Sequence, residues 1–291
     1  MYSRKEDLMA LLHLDFESEY MRSNQDVYII VPDRPKLTPP AEFYGEKRRY
    51  PVLWLLHGTF GGYSDWLRKS NIELYTAKKE MIVVMPGIGN ADYEAWDNFT
   101  LGIDSEKYIT EELMPLVHSW LPASDRREDN FVAGLSMGGG GALKLALLHP
   151  ELFEAAAVLS YAPADMEAQK AELEELFDAD RDELLALNDM WHSKIRSYNR
   201  MHRYSSVDEY LASPANTWRL LEESAGRKEL PRLLFTCGSE DPLMTENFRA
   251  LKKRFEESGR EAEWSEGPGG HSWPVWDRDI QKALEFFGLN K

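Results

Sequence analysis

Residues 130–150 read NFVAGLSMGGGGALKLALLHP and set Ser136 between Gly134 and Gly138 in a G-x-S-x-G pattern. A strand-like FVAG precedes the serine and a helical run, Ala142 to Leu148, follows it. This is the setting in which a serine hydroxyl is held out on a sharp strand-to-helix turn. Glycines on either flank relieve the crowding that such a turn creates. The helix starting after Ser136 would aim N–H groups and its positive dipole end at a reacting centre. The chemistry expected is attack on an acyl carbonyl. A serine hydroxyl is a weak nucleophile, so that chemistry demands a histidine to take its proton and a carboxylate to orient the histidine. Without those partners the motif would be a glycine-rich turn with an incidental serine.

The seven histidines differ in setting. His13 and His118 read as helical, His57 ends a strand, His149 ends the helix after Ser136, and His192 and His202 fall in a helical stretch. His271 instead follows the loop Gly267, Pro268, Gly269, Gly270 and precedes Ser272 and Trp273. A loop after the last strand can carry an imidazole across the strand ends to Ser136, so His271 is the expected base. The carboxylate is expected on the strand-exit segment LLFTCGSEDP, residues 233–242, where Asp241, just before Pro242, is preferred and Glu240 remains an alternative. A chain order of Ser136, Asp241, His271 is that of an α/β-hydrolase, unlike the orders of chymotrypsin and subtilisin.

Acyl transfer also needs N–H donors for the charge that develops on the carbonyl oxygen. The N–H of Met137, next to the serine, is one candidate. The second is expected from HGTFGG, residues 57–62, with Thr59 preferred and Phe60 next. His57 reads as an anchor of that loop through hydrogen bonds, not as a base. Tyr63, Trp66, Tyr161, Trp273 and Trp276 fall on or beside these loops. They are candidates either for an acyl or aryl pocket or for structural packing, and Asp65 for bracing the loop.

The elements that must position these side chains follow from periodicity. Short apolar runs at Asp26–Val31, Val52–Leu56, Met81–Met85, Asn130–Gly134, Ala155–Leu159, Leu233–Cys237 and Glu261–Ser265 read as strands. Helix-period stretches at Asp104–Trp120, Met137–His149, Thr245–Glu257 and Val275–Phe287 alternate with them. Such alternation predicts an α/β fold, a mainly parallel central sheet with helices on both faces. The length of 291 residues is read as one domain, 1–291, with residues 163–230 as a helical insertion or lid. Nine acidic residues crowd Asp165–Glu183, as on a solvated helix face, whereas Met190–Tyr204 mixes Trp191, Tyr198, Met201 and Tyr204 with basic residues and could cover a pocket.

Composition narrows the partners. A net charge of −16 disfavours nucleic acid and anionic lipid. No apolar run is long enough to span a membrane, and Leu8 to Leu12 is too short for the core of a signal peptide. The single cysteine, Cys237, cannot form an internal disulfide. A cytoplasmic protein is expected. Nucleotide, flavin and zinc motifs are absent, so the expected chemistry uses no cofactor and no metal.

LLHGTFGGYSDW, VAGLSMGGGGAL, TCGSEDPL and GPGGHSWPVWDR together resemble the tributyrin esterase branch of the esterase D and S-formylglutathione hydrolase family. The resemblance runs over Val52–Ser160 and Leu233–Phe287. It implies an α/β-hydrolase fold and a serine carboxylesterase acting on small short-chain acyl esters. Ser136 would be nucleophile, Asp241 orienting acid, His271 base, and Thr59 with Met137 oxyanion donors. The family also holds feruloyl esterases, carbohydrate acetyl esterases and acyltransferases, so it implies the chemistry more narrowly than the substrate. S-formylglutathione hydrolases usually carry cysteines and a different loop after the HG pair, a departure here. Family members often associate, which makes a homo-oligomer a further implication. A different class of function, a non-catalytic binding protein on the same fold, would lack a working nucleophile.

Overall fold

The computed structural model describes residues 8–187, 189, 192–227 and 229–289. Met190 and Trp191, part of the stretch expected to cover a pocket, lie outside the described residues. Ten strands are described: β1 (Leu8–Ser18), β2 (Ser23–Asp33), β3 (Val52–Leu56), β4 (Ile82–Pro86), β5 (Ala95–Trp96), β6 (Ile103–Asp104), β7 (Asn130–Leu135), β8 (Ala155–Leu159), β9 (Arg232–Gly238) and β10 (Glu263–Gly267). Eight of them form one sheet in the order β1-β2-β4-β3-β7-β8-β9-β10, and β5 pairs with β6 in a separate hairpin. Within that sheet β4, β3, β7, β8, β9 and β10 run parallel, while the β1–β2 hairpin joins that set antiparallel at one edge. This is the α/β-hydrolase-like architecture that the alternation predicts.

Burial explains why β3, β4 and β8 are apolar throughout and β7 is so after Asn130: every residue in them is buried. Side chains alternate between the two faces of a strand, so both faces must be covered. On β3, Val52, Trp54 and Leu56 join one core cluster with Ala142 and Leu145 of the helix Met137–Leu148. Leu53 and Leu55 join the other, with Ile280 and Leu284 of the helix Trp273–Phe286. The helix Met137–Leu148 is buried along almost its whole length, because it sits between the sheet and further helices.

Three expectations require correction. The N-terminal residues around His13 form β1, not a helix, with Leu14 opposite Val27 and Phe16 opposite Gln25. Leu14 and Phe16 pack on the main core, and that long-range pairing outweighs the local pattern. The helix expected over Asp104–Trp120 is a short turn at Ser105–Lys107, a π-helical turn at Tyr108–Leu113 and an α-helix at Met114–Trp120. Pro115 has no N–H to give to the ladder, which accounts for the break. The last helix begins at Trp273, with Pro274 in its first turn, where the missing N–H is harmless.

Between β8 and β9 the described chain forms five helices: Lys170–Phe177, Arg181–Ala186, Ser193–Met201, Val207–Ala212 and Thr217–Glu223. The first of these buries no residue, as its acidic sequence predicts. Met201, Val207, Tyr210, Leu211 and Ala215 form a small separate core from the third and fourth helices and the turn after them, and Leu173, Leu176 and Phe177 of the first helix pack against it partly buried.

Candidate active site

Strand β7 delivers Ser136 into the left-handed region, φ 52°, at the entry to the helix Met137–Leu148. Its N–H donates to the Leu159 carbonyl on β8 at 2.8 Å, which pins the turn to the sheet. The flanking glycines are required by contact. A Cβ on Gly134 would lie 2.2 Å from the Gly138 carbonyl oxygen, and one on Gly138 would lie 2.5 Å from the His57 carbonyl oxygen.

The loops after β9 and β10 are bonded to each other by their backbones. Ser239 N–H donates to the Gly267 carbonyl at 2.7 Å and Glu240 N–H to the Gly269 carbonyl at 3.0 Å. Gly238 allows this approach, since a Cβ there would meet the Gly269 carbonyl oxygen at 2.2 Å. The result brings His271 beside both partners: Nε2 lies 2.9 Å from Ser136 Oγ, and Nδ1 lies 2.7 Å from Asp241 Oδ2. The other Asp241 oxygen accepts the N–H groups of Leu243 and Met244 at 2.9 and 3.1 Å. Burial alone would raise the Asp241 pKa, but the His271 bond and these two amides outweigh it and hold the carboxyl below its ordinary value. An ionised Asp241 fixes the proton of neutral His271 on Nδ1 and leaves Nε2 as the acceptor facing the serine. Glu240 makes no such contact with His271.

His57 is buried at the end of β3. Its Nδ1 donates to the Gly58 carbonyl at 2.8 Å, and its Nε2 accepts from Ile88 N–H at 3.2 Å. Burial holds its pKa below the ordinary histidine value, so it is a neutral anchor of the loop 57–62. In that loop Phe60 N–H is taken by Asn90 Oδ1 at 2.8 Å and Gly61 N–H by the Gly58 carbonyl at 3.1 Å.

Ser136, His271, Thr59, Trp273 and Trp276 line one cleft of about 660 Å³, within the usual range for small-molecule sites. Trp276 meets the His271 ring edge-on at 5.1 Å, and Trp273 packs on Trp276 at 5.3 Å. The other aromatic candidates lie elsewhere. Trp66 is buried behind Trp273, its indole N–H bonded to the Leu56 carbonyl at 2.9 Å. Tyr63 stacks on His13 and meets Tyr28 edge-on at the β1–β2 edge. Tyr161 packs under the helix Met137–Leu148, its ring against the space where Gly140 would carry a Cβ. These three are packing residues outside the cleft lining, the structural one of the two roles open to them.

Arg196, in the helix Ser193–Met201, was not among the expected site residues. It lines the cleft and donates to Thr59 Oγ1 at 3.1 Å and to Asp92 Oδ1 at 3.0 Å. Behind it lies a buried ion cluster, in which Glu94 accepts from Lys144, Arg200 and Arg203, and Lys144 also donates to the Asp92 carbonyl at 3.0 Å. Burial works to raise the Glu94 pKa, yet the three cations hold it far below the usual carboxylate range. No local motif marks these residues, because their contacts join segments about 50 to 140 positions apart.

A family model described as "Putative esterase" matches residues 20–287. The chain belongs to this esterase family. It is 26% identical over 288 residues to an acetyl esterase of Caldicellulosiruptor saccharolyticus, an alignment covering 96% of this chain and 98% of that one. Among solved structures it is similar to the fluorophosphonate-binding serine hydrolase FphF of Staphylococcus aureus, with a TM-score of 0.74, 26% identity, and 97% of this chain and 99% of that one covered. The S-formylglutathione hydrolase FrmB of the same organism gives the same TM-score and identity, with 96% and 99% covered. The esterase is therefore a carboxylic ester hydrolase of the esterase D and FrmB kind. No helix among its described residues is long and apolar enough to cross a membrane.

Proposed function

We propose that the esterase hydrolyses short-chain acyl esters through an acyl-enzyme on Ser136. The hydrogen-bonded chain Asp241, His271, Ser136, at 2.7 and 2.9 Å, carries this reading. Ser136 Oγ attacks the ester carbonyl carbon while His271 Nε2 takes its proton; the carbonyl electrons move onto oxygen and return as the C–O bond to the alcohol breaks. His271 gives the proton to the departing alkoxide. Water then attacks the acyl-enzyme with His271 again as base, releasing the acid and restoring the serine. Met137 N–H, in the first turn after the serine, and Thr59 N–H bind the oxyanion. The occupied N–H groups of Phe60 and Gly61 favour Thr59 within its loop. A short acyl group agrees with the acetyl ester named for the Caldicellulosiruptor relative. Residues 163–230 serve as the cap within one domain, a role supported by Arg196 reaching into the cleft.

The test is Ser136→Ala. Turnover of p-nitrophenyl acetate should fall to the residual catalysis of binding and oxyanion donors, on the order of 10³ to 10⁴ over water. A fluorophosphonate should label the wild type and not the variant. Near-normal turnover by the variant, or a wild type that fluorophosphonate leaves untouched, would reject the reading. A series of p-nitrophenyl esters from acetate to decanoate tests the acyl preference, which should decline with chain length.

A further inference from the structure

A second chamber of about 510 Å³ adjoins the catalytic cleft, and Phe60 and Arg196 line both spaces. Phe60 follows Thr59 in the chain, so the two spaces meet one residue from the proposed oxyanion donor. The backbone at Phe60 lies in the left-handed region, φ 58°, held there by the bond to Asn90, and its ring remains 58% exposed. A strained, pinned residue that presents an aromatic face between two cavities marks a functional boundary.

The chamber is large enough for a ligand by itself. Ile88, Trp96, Phe99 and Ile103 supply apolar walls, and Ser23, Gln25 and Asn199 supply neutral polar groups. Of its ionisable side chains, Asp92 and Arg196 pair with each other at 3.0 Å, and exposed His192 stands at the rim. Trp96 is fixed in place by its indole N–H bond to the Ala91 carbonyl at 2.8 Å and by the Arg203 guanidinium 4.5 Å above the ring. The Trp96 wall is thus preformed. The walls together suit an uncharged, mainly apolar group carrying a hydroxyl or carbonyl, and they would disfavour a net charge.

We infer that this chamber binds the alcohol portion of the ester, as an uncharged and bulky apolar group. The inference rests on the serine-esterase reading: a short acyl group fits within the catalytic cleft, which leaves the alcohol as the part of the substrate able to extend past Phe60. Among short-acyl esters, specificity is then set by the size of the alcohol.

The experiment fills the chamber from two sides, with Ser23→Trp on β2 and, separately, Asn199→Trp on the helix Ser193–Met201. Neither residue touches Ser136, His271 or Asp241. Hydrolysis is followed by proton release for acetates of ethanol, benzyl alcohol and 4-phenylbutanol, and in a second arm for ethyl esters from acetate to octanoate. The expected result is a wild-type kcat/KM that rises with alcohol size. Each filled variant should lose at least tenfold on 4-phenylbutyl acetate while keeping ethyl acetate turnover within twofold. An active wild type whose variants lose nothing, or lose equally on every acetate, overturns the inference alone. A loss that tracks acyl length instead assigns the chamber to the acid and overturns it too. A wild type inert to all the esters removes the esterase mechanism first and the inference with it.

Discussion

Asp241 bonds His271 and Arg196 bonds Thr59, and the part each has in the proposed chemistry can be tested by one substitution. Asp241→Asn preserves the shape but replaces one carboxylate oxygen with an amide donor. If that donor faces Nδ1, the proton of His271 is driven onto Nε2, where it blocks acceptance from Ser136. The kcat for p-nitrophenyl acetate should drop by about 10⁴-fold with KM little changed. Arg196 touches the proposed oxyanion loop through the Thr59 hydroxyl at 3.1 Å. Arg196→Ala should loosen Thr59 and lower kcat by about 10-fold or more, the scale of lost positioning. Arg196→Lys, which can reach only one of the two acceptors, should recover part of the loss. Steady-state kinetics of both variants check this, and an unchanged kcat in Arg196→Ala would detach the arginine from the chemistry. At this scale the sequence was informative where residues sit in a motif: Ser136, Asp241 and His271 were singled out by glycine context and chain order. It was silent on Arg196, which lies in a helix with no motif, and undecided on Tyr63, Trp66 and Tyr161, whose neighbours come from other elements.

The helix Met137–Leu148 positions Ser136 at one end and is tied at the other by His149, whose Nε2 lies 2.9 Å from Glu106 Oε1. The Glu106 bond, against the opposing effect of burial, raises the His149 pKa above its ordinary value. A histidine with a higher pKa folded than unfolded contributes stability that is full below about pH 6.5 and disappears as pH rises through the folded value. The Tm gap between wild type and His149→Gln should therefore be widest near pH 5.5 and shrink toward pH 9, as thermal melts across that range would register. A gap independent of pH would rule out the charged pair as its source. Elements buried on both faces, such as β3 and β8, were legible to the residue because an apolar run of five residues is too short for a buried helix and suits a fully covered strand. Strand β1 was not: its Leu12, Leu14 and Phe16 acquire strand pairing only from β2, and local spacing did not announce that partner.

Of the five helices between β8 and β9, Thr217–Glu223 packs on the main core through Leu221, whereas Ser193–Met201 and its exit are tied to the rest of the molecule through charge. Glu94 gathers Lys144 from the helix after Ser136 and Arg200 and Arg203 from the helix Ser193–Met201 and its exit, all in a largely buried setting. Removing the acceptor leaves three cations without their shared partner, and breaking a buried pair in this way costs about 3–5 kcal/mol. Glu94→Ala should lower the unfolding free energy from denaturant titration by that amount and raise amide hydrogen exchange in residues 193–223 more than in β3 or β7. Uniform exchange across the chain would instead mean that the cluster stabilises the whole fold and does not specifically dock these helices. Sequence alone determined the sheet's apolar strands, the strained serine turn and the order of nucleophile, acid and base, since each rests on local sterics or on burial that a short pattern encodes. Tertiary structure alone decided which aromatic side chains reach the cleft, how the arginines of residues 193–203 meet Asp92, Glu94 and Thr59, and that a second chamber opens beyond Phe60. Those features depend on distances between segments far apart in the chain, and only the closing of the fold sets them.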